Sequence, residues 1–163
     1  VTTDNVKSFF VGDRPKFRMI VDGANLFFSD GARGVLERAG VHVFKDASTN
    51  KGGVTSSSLE VFAALALAIE DHSKLMTYDL EQHSEPPEFY QTYVKQILET
   101  IVDNARQEFR AIWACNRDTG VSKVDATRQL SIKINRMCDN IQESFTEMPE
   151  AEKNHVVRTV LSR

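Results

Sequence analysis

The residues best suited to chemistry lie in "TNKGGVTSSSLE", 49–60: a lysine, two glycines and a run of hydroxyls ahead of an apolar stretch. Such a set suits phosphate. A triphosphate loop needs G-x-x-x-x-G-K-[ST], so that the lysine reaches the β/γ-phosphates and the hydroxyl meets Mg²⁺. "KGGVTSSS" approaches the variant KGGxGK[ST], but Thr55 stands where that loop has its third glycine, and Ser56 replaces its lysine. Without the cation, the loop is poorly equipped for triphosphate hydrolysis. No G-x-G-x-x-G occurs in the chain either, so it lacks the usual pyrophosphate fingerprint.

A second reading of the stretch needs no ligand. Ser57-Ser58-Leu59-Glu60 fits a capping box, with Ser57 accepting from the Glu60 amide and the Glu60 side chain reaching back. This accounts for the hydroxyls and the acid. It does not account for Asn50, nor for a Gly52-Gly53 pair, which lets backbone approach something closely. Polar groups between a strand end and a helix N-terminus also sit where α/β sheets place ligands. "DGAN", 22–25, closes an earlier strand at the same edge, and two such turns on neighbouring strands could line one crevice. On the residues alone, capped helix start and ligand edge both stand.

Both turns must be positioned by strands and helices. Phe17 to Val21 is a short β-prone run. Ser29 or Asp30 is a fitting N-cap, Val35, Leu36 and Ala39 form an apolar side, and Gly40 is a C-terminal stop. "VHVF", 41–44, is a second strand, and strand, helix and strand with short joints predict parallel pairing. Residues 61–69 are apolar nearly all round, which predicts a buried helix packed on the sheet. The polar stretch 71–88 ends in Pro86-Pro87 and reads as a connector, with His72 and His83 as solvated loop histidines. From Glu88 the pattern is helical: Tyr90, Val94, Ile97, Ile101, Ala105 and Ile112 form one stripe, with a gap near 108–109. "NRDTG" interrupts at 116–120. A second stripe runs through Leu130, Ile134, Met137, Ile141 and Phe145 and stops before Pro149, and a short helix is expected over 150–161.

With 163 residues, 41% hydrophobic and 26% charged, the chain can build a real core, and it holds no apolar run that would span a bilayer. A formal charge of −3 argues against a general nucleic-acid binder. Cys115 and Cys138 belong to no Cys/His cluster, so no metal site is expected and the thiols read as reduced, intracellular ones. The chain opens on Val1 with no signal or transit pattern, the expectation for a piece processed or cut from something larger.

The stretch "IVDGANLFFSDGARGVLERAGVHVFKDASTNKGGVTSSSLEV", 20–61, resembles the late part of the dinucleotide-binding domain of glutamate dehydrogenases, most of all the large NAD-specific class of fungi. Two motifs carry the resemblance. Gly23-Ala24-Asn25 matches the family's G-A-N after one strand, and Asn50 to Ser57 matches its N-x-G-G-V-x-x-S at the next helix entry. "CNRDTGVSKVDATRQLSIKINRM", 115–137, resembles the C-terminal helices that fold back in that family. Many smaller members have Glu before G-A-N and Pro-Thr after it; Asp22 and Leu26-Phe27-Phe28 point toward the large class.

The resemblance implies an α/β fold: the second half of a Rossmann-like NAD-binding domain over 1–71, a connector over 72–87 and a C-terminal α-helical segment over 88–163. It implies NAD as cofactor and L-glutamate and 2-oxoglutarate as the substrate pair. The implied partners are the rest of its own polypeptide and further copies in a homo-oligomer, with no nucleic acid and no membrane. Gly23, Ala24 and Asn25 would line the cofactor cleft near the nicotinamide ribose, and Asn50 would contact the carboxamide, offering both donor and acceptor. Val54 and Ser57 would face glutamate, Ser57 meeting its γ-carboxylate near a positive helix N-terminus. The family's substrate lysines and catalytic Asp have no counterpart here, so no catalytic residue and no activity are expected of this chain alone. The expected location is soluble and intracellular, in cytoplasm or mitochondrion. Competing readings are a non-catalytic α/β binding module with a partner-docking helical tail, and another amino-acid dehydrogenase of the same superfamily.

Overall fold

The two strand signals become β3 (Met19–Val21) and β4 (His42–Phe44), which pair in parallel with Met19 opposite His42 and Val21 opposite Phe44 in the computed structural model. It describes residues 1–79, 81 and 85–161, the chain being mixed α/β and mostly helical. The crossover is α1 (Asp30–Arg38). Ser29 is its N-cap, accepting from the Ala32 amide. Its exit is a Schellman turn: Gly40, at φ 85°, donates to the Glu37 carbonyl and Val41 to that of Leu36. Cap and stop fall where the residue types put them.

The pair is covered on both faces. On one side, Val43 and Ile20 pack with Ala32, Leu36 and Val41, extended by Val6, Phe28 and Val124. On the other, His42 and Phe44 meet α5 (Glu88–Thr119): the Phe44 ring stacks on Phe109 at 5.1 Å, and His42 meets Trp113 edge-on at 5.1 Å. This layering satisfies a parallel sheet, whose two faces both need apolar cover. Ahead of it, a 3-10 turn (Val6–Phe9) and the small antiparallel pair β1 (Phe10–Val11) and β2 (Arg14–Pro15), turned at Gly12, form an element that the sequence pattern did not predict.

Three expectations are corrected. The helix expected from Ser57 begins at Gly52: α3 (Gly52–Ala66) follows the single turn α2 (Asp46–Thr49), with Lys51 as its N-cap. Ser57 therefore caps nothing; its hydroxyl donates to the Val54 carbonyl within the helix. Nor is α3 buried on the sheet, because α1 and α5 occupy both faces. It packs against α5 instead and leaves Val54, Val61, Phe62 and Leu65 exposed. Finally, the break expected at 116–120 shrinks to Gly120, which caps α5 in the left-handed region at φ 71°, while Asn116 to Thr119 complete its last turn.

Downstream of α3, α4 (Ile69–Leu75) takes His72 into a helix, while His83 lies outside the described residues. Then α6 (Lys123–Glu147) and α7 (Glu150–Leu161) follow, separated before Pro149 as the pattern predicts. Val1–Thr127 form one compact unit and Arg128–Arg163 another. The first turn of α6 belongs to the former: Lys123 is buried, its ammonium donating to Asn116 Oδ1 at 2.6 Å and lying 4.6 Å from the Trp113 ring centre. Burial lowers its pKa, only partly offset by Glu37. Among the described residues, no helix is long and apolar enough to cross a membrane and no cluster of three or more His, Cys, Asp or Glu could hold a metal ion.

Because Gly40 sits at positive φ inside the Schellman turn, Gly40→Ala should cost about 1 kcal/mol of stability. Urea unfolding of the two proteins measures it; equal midpoints would contradict the role given to this turn.

Candidate functional site

Parallel pairing places the carboxyl ends of β3 and β4 at one edge, so the turns that follow them are neighbours: the Asp22 amide donates to the Phe44 carbonyl at 2.9 Å. Gly23, Ala24 and Asn25 occupy the exposed turn after β3. Asn50 is the C-terminal cap of α2, separated from α3 by Lys51. The two asparagines meet: Asn50 Nδ2 donates to Asn25 Oδ1. That bond leaves Asn50 Oδ1 as an acceptor and Asn25 Nδ2 as a donor, a pattern complementary to a primary carboxamide. Thr49 ties the same two turns by donating its hydroxyl to the Asp22 carbonyl.

Val54 and Ser57 lie three positions apart near the start of α3, both exposed. They share a side of the helix. The Ser57 proton is engaged by the Val54 carbonyl at 3.1 Å, so meeting a carboxylate requires its hydroxyl to rotate. The structure thus joins the two asparagines directly and sets Val54 and Ser57 together on the helix that follows.

The network that holds this edge was not foreseen. Arg33, on α1, is only 2% exposed, and its Nη2 donates to Asp22 Oδ2 at 2.7 Å and lies 3.1 Å from Asp46 Oδ1. Its Nη1 donates to Asp30 at 3.0 Å. Burial works against the guanidinium charge, but hydrogen bonds to Asp22 and Asp30 and the nearby carboxylates outweigh it, so its pKa is raised. Asp46 also accepts from the Leu26 amide at 2.9 Å and from the Ala47 amide. Desolvation would push its pKa up, yet these two amides together with Arg33 and Lys45 hold it below the ordinary carboxylate value. Leu26, next to Asn25, has φ 57°, a left-handed conformation that costs a non-glycine residue roughly 1–2 kcal/mol. The Asp46 carboxylate holds it there. A sequence signal for this network did exist: an acidic residue just past each strand end, and an arginine among the buried positions Ala32 and Leu36.

A family model described as Glutamate/Leucine/Phenylalanine/Valine dehydrogenase matches residues 1–120, ending on the glycine that caps α5. The chain belongs to that family. Glutamate dehydrogenase 2 of Dictyostelium discoideum is 46% identical over 138 residues, 85% of this chain. The NAD-specific glutamate dehydrogenase of Neurospora crassa is 45% identical over 143 residues, and that of Saccharomyces cerevisiae 39% over 147, each covering 88% of this chain. The chain spans 13% of the length of each of these relatives. No solved structure matches it significantly. Membership in this dehydrogenase family fits a ligand edge at the carboxyl ends of parallel strands.

Removing Arg33 takes the guanidinium from two buried carboxylates, Asp22 and Asp46, although Asp46 keeps its two backbone amides, so Arg33→Met should cost roughly 3 kcal/mol at neutral pH. In the unsubstituted protein the folded pKa of Asp46 is depressed. Its stabilising contribution is therefore complete above the ordinary carboxylate value, about 3.9, and is lost as pH falls through the lower folded value. In the variant Asp46 loses the guanidinium that favours its charged form, so protonation costs it less and the gap between the two proteins should narrow in acid. Denaturation at pH 7 and pH 3.5 reads this, and an equal gap at both would count against the network.

Proposed function

We propose that this chain is the nicotinamide-end part of an NAD-dependent glutamate dehydrogenase, with residues 1–71 the second half of a Rossmann-like domain, 72–87 a connector and 88–163 a C-terminal helical segment. The reaction is L-glutamate plus NAD⁺ and water to 2-oxoglutarate, ammonium, NADH and a proton. The observation that carries the reading is the meeting of Asn25 and Asn50 at the carboxyl edge of β3 and β4. Relatives whose names specify NAD-specific glutamate dehydrogenase support it. NAD, when bound, supplies the hydride acceptor.

This chain's residues hold and orient. Asn50 Oδ1 would accept from the carboxamide of NAD and Asn25 Nδ2 would donate to it, while Gly23 and Ala24 would let the turn lie against the nicotinamide ribose. Val54 offers an apolar wall to the methylenes of glutamate. The Ser57 hydroxyl, rotated off the Val54 carbonyl, donates to the γ-carboxylate. That hydroxyl favours glutamate over leucine, valine or phenylalanine, whose side chains offer it nothing to bond. A Cβ added at Gly53 would meet open space, and its φ is not in the left-handed region. Neither packing nor backbone geometry within the described residues thus asks for glycine there; close approach of a ligand does. The remaining groups are supplied by the rest of the polypeptide, and assembly is homo-oligomeric.

In the full-length enzyme, Asn50→Ala should raise the KM for NAD roughly tenfold, the loss of a paired polar contact. Ser57→Ala should raise the KM for glutamate far more than that for NAD; equal rises would sink its assignment. This chain alone should produce no NADH from glutamate and NAD. Gly53→Ala should stabilise the fold by about 0.4–1 kcal/mol, because alanine lowers the entropy of the unfolded chain. The same change should raise the KM of the enzyme, and a variant both more stable and kinetically unchanged would show that Gly53 faces no ligand.

A further inference from the structure

The apolar stripe of α5 has its gap near 108–109, and Glu108 fills it from the packed side. Its carboxylate is 14% exposed and accepts from Lys51 Nζ through both oxygens, each at 2.8 Å. The two residues are 57 apart in sequence. Lys51 lies between Asn50 and Gly52 and is the N-cap of α3, where its side chain makes no capping hydrogen bond. Two turns before Glu108, Ile101 touches the same junction: a Cβ built at Gly52 would lie 3.5 Å from Ile101 Cγ2. One residue after Glu108, Phe109 stacks on Phe44 of β4. One side of α5 therefore contacts both the strand that ends at the site and the entry to α3.

We propose that Glu108 is a positioning residue for the nicotinamide end of the site; this rests on the function proposed above. Through Lys51 it acts in two ways. Its two-oxygen grip fixes the backbone between Asn50 and α3, and so the direction in which Asn50 presents its amide. It also neutralises the Lys51 ammonium and turns it toward α5. Oxidised nicotinamide carries a positive ring and reduced nicotinamide does not, so a free ammonium beside Asn50 would repel NAD⁺ specifically. The ordinary worth of a half-exposed ion pair is small, so the fold should survive its loss.

The test is equilibrium binding to the full-length enzyme, with NADH followed by nicotinamide fluorescence and NAD⁺ by competition. Glu108→Gln should raise the Kd for NAD⁺ roughly three- to tenfold and that for NADH less, because the variant releases the cation as well as the geometry. Lys51→Met, which removes the cation and leaves the Glu108 carboxylate unpaired, should weaken NAD⁺ no more than NADH. The exchange Lys51→Glu with Glu108→Lys should bring both constants back to within about twofold of the unsubstituted enzyme, since the pair is restored in reverse. Thermal unfolding checks that each variant is folded. Unchanged Kd values in Glu108→Gln, or a charge exchange worse than either single variant, would overturn the role of Glu108 and leave the proposed function standing. Absence of NADH binding by the unsubstituted enzyme would overturn that function, and this inference with it.

Discussion

Arg33 lies buried on α1 between carboxylates that follow two different strands, and the candidate site depends on that placement. Parallel pairing forces Asp22 and Asp46 to the same edge, where desolvated like charges would repel. One guanidinium, presented from the crossover helix, bonds to Asp22 and lies beside Asp46, with two backbone amides completing the partners of Asp46. Arg33 thus joins the two carboxylates and locks the turn bearing Asn25 to the turn bearing Asn50. The left-handed Leu26 persists because Asp46 bonds its amide, so some of the energy of the network is spent on a strained residue beside the ligand edge.

A second constraint comes from the sheet. Two parallel strands of three residues each cannot stand uncovered, and α1 and α5 take the two faces. The aromatic stack of Phe44, Phe109 and Trp113 fixes where α5 lies along β4. With both faces occupied, α3 packs against α5 and α4 instead of the sheet, and Val61, Phe62 and Leu65 remain exposed. The same exclusion keeps Val54 and Ser57 exposed.

Local sequence rules worked where the controlling interactions are local. Ser29 and Gly40 delimit α1 because a cap and a left-handed stop are decided within a few residues. The parallel pair followed from two short strands joined through one helix. Where two local signals competed, the rules failed. Ser57 and Glu60 fit a capping box, but Gly52 and Gly53 adopted helical backbone first, and the box fell inside the helix. "NRDTG" looked like a break, yet only Gly120 is left-handed, and the four polar residues before it stay in the last turn of α5.

By itself, the sequence determined the residue types at the candidate ligand edge: two asparagines after two strands, an arginine within an apolar helix, and a charged residue in the gap of an apolar stripe. Each is a property of neighbours along the chain, visible through period and spacing. Only the tertiary structure decided what those residues touch. Asn25 meets Asn50, Arg33 meets Asp22 and Asp46, and Glu108 meets Lys51, across separations of 25, 11 or 13, and 57 residues. Such pairings depend on strand register and on which helix covers which face, and packing of the whole unit settles those together.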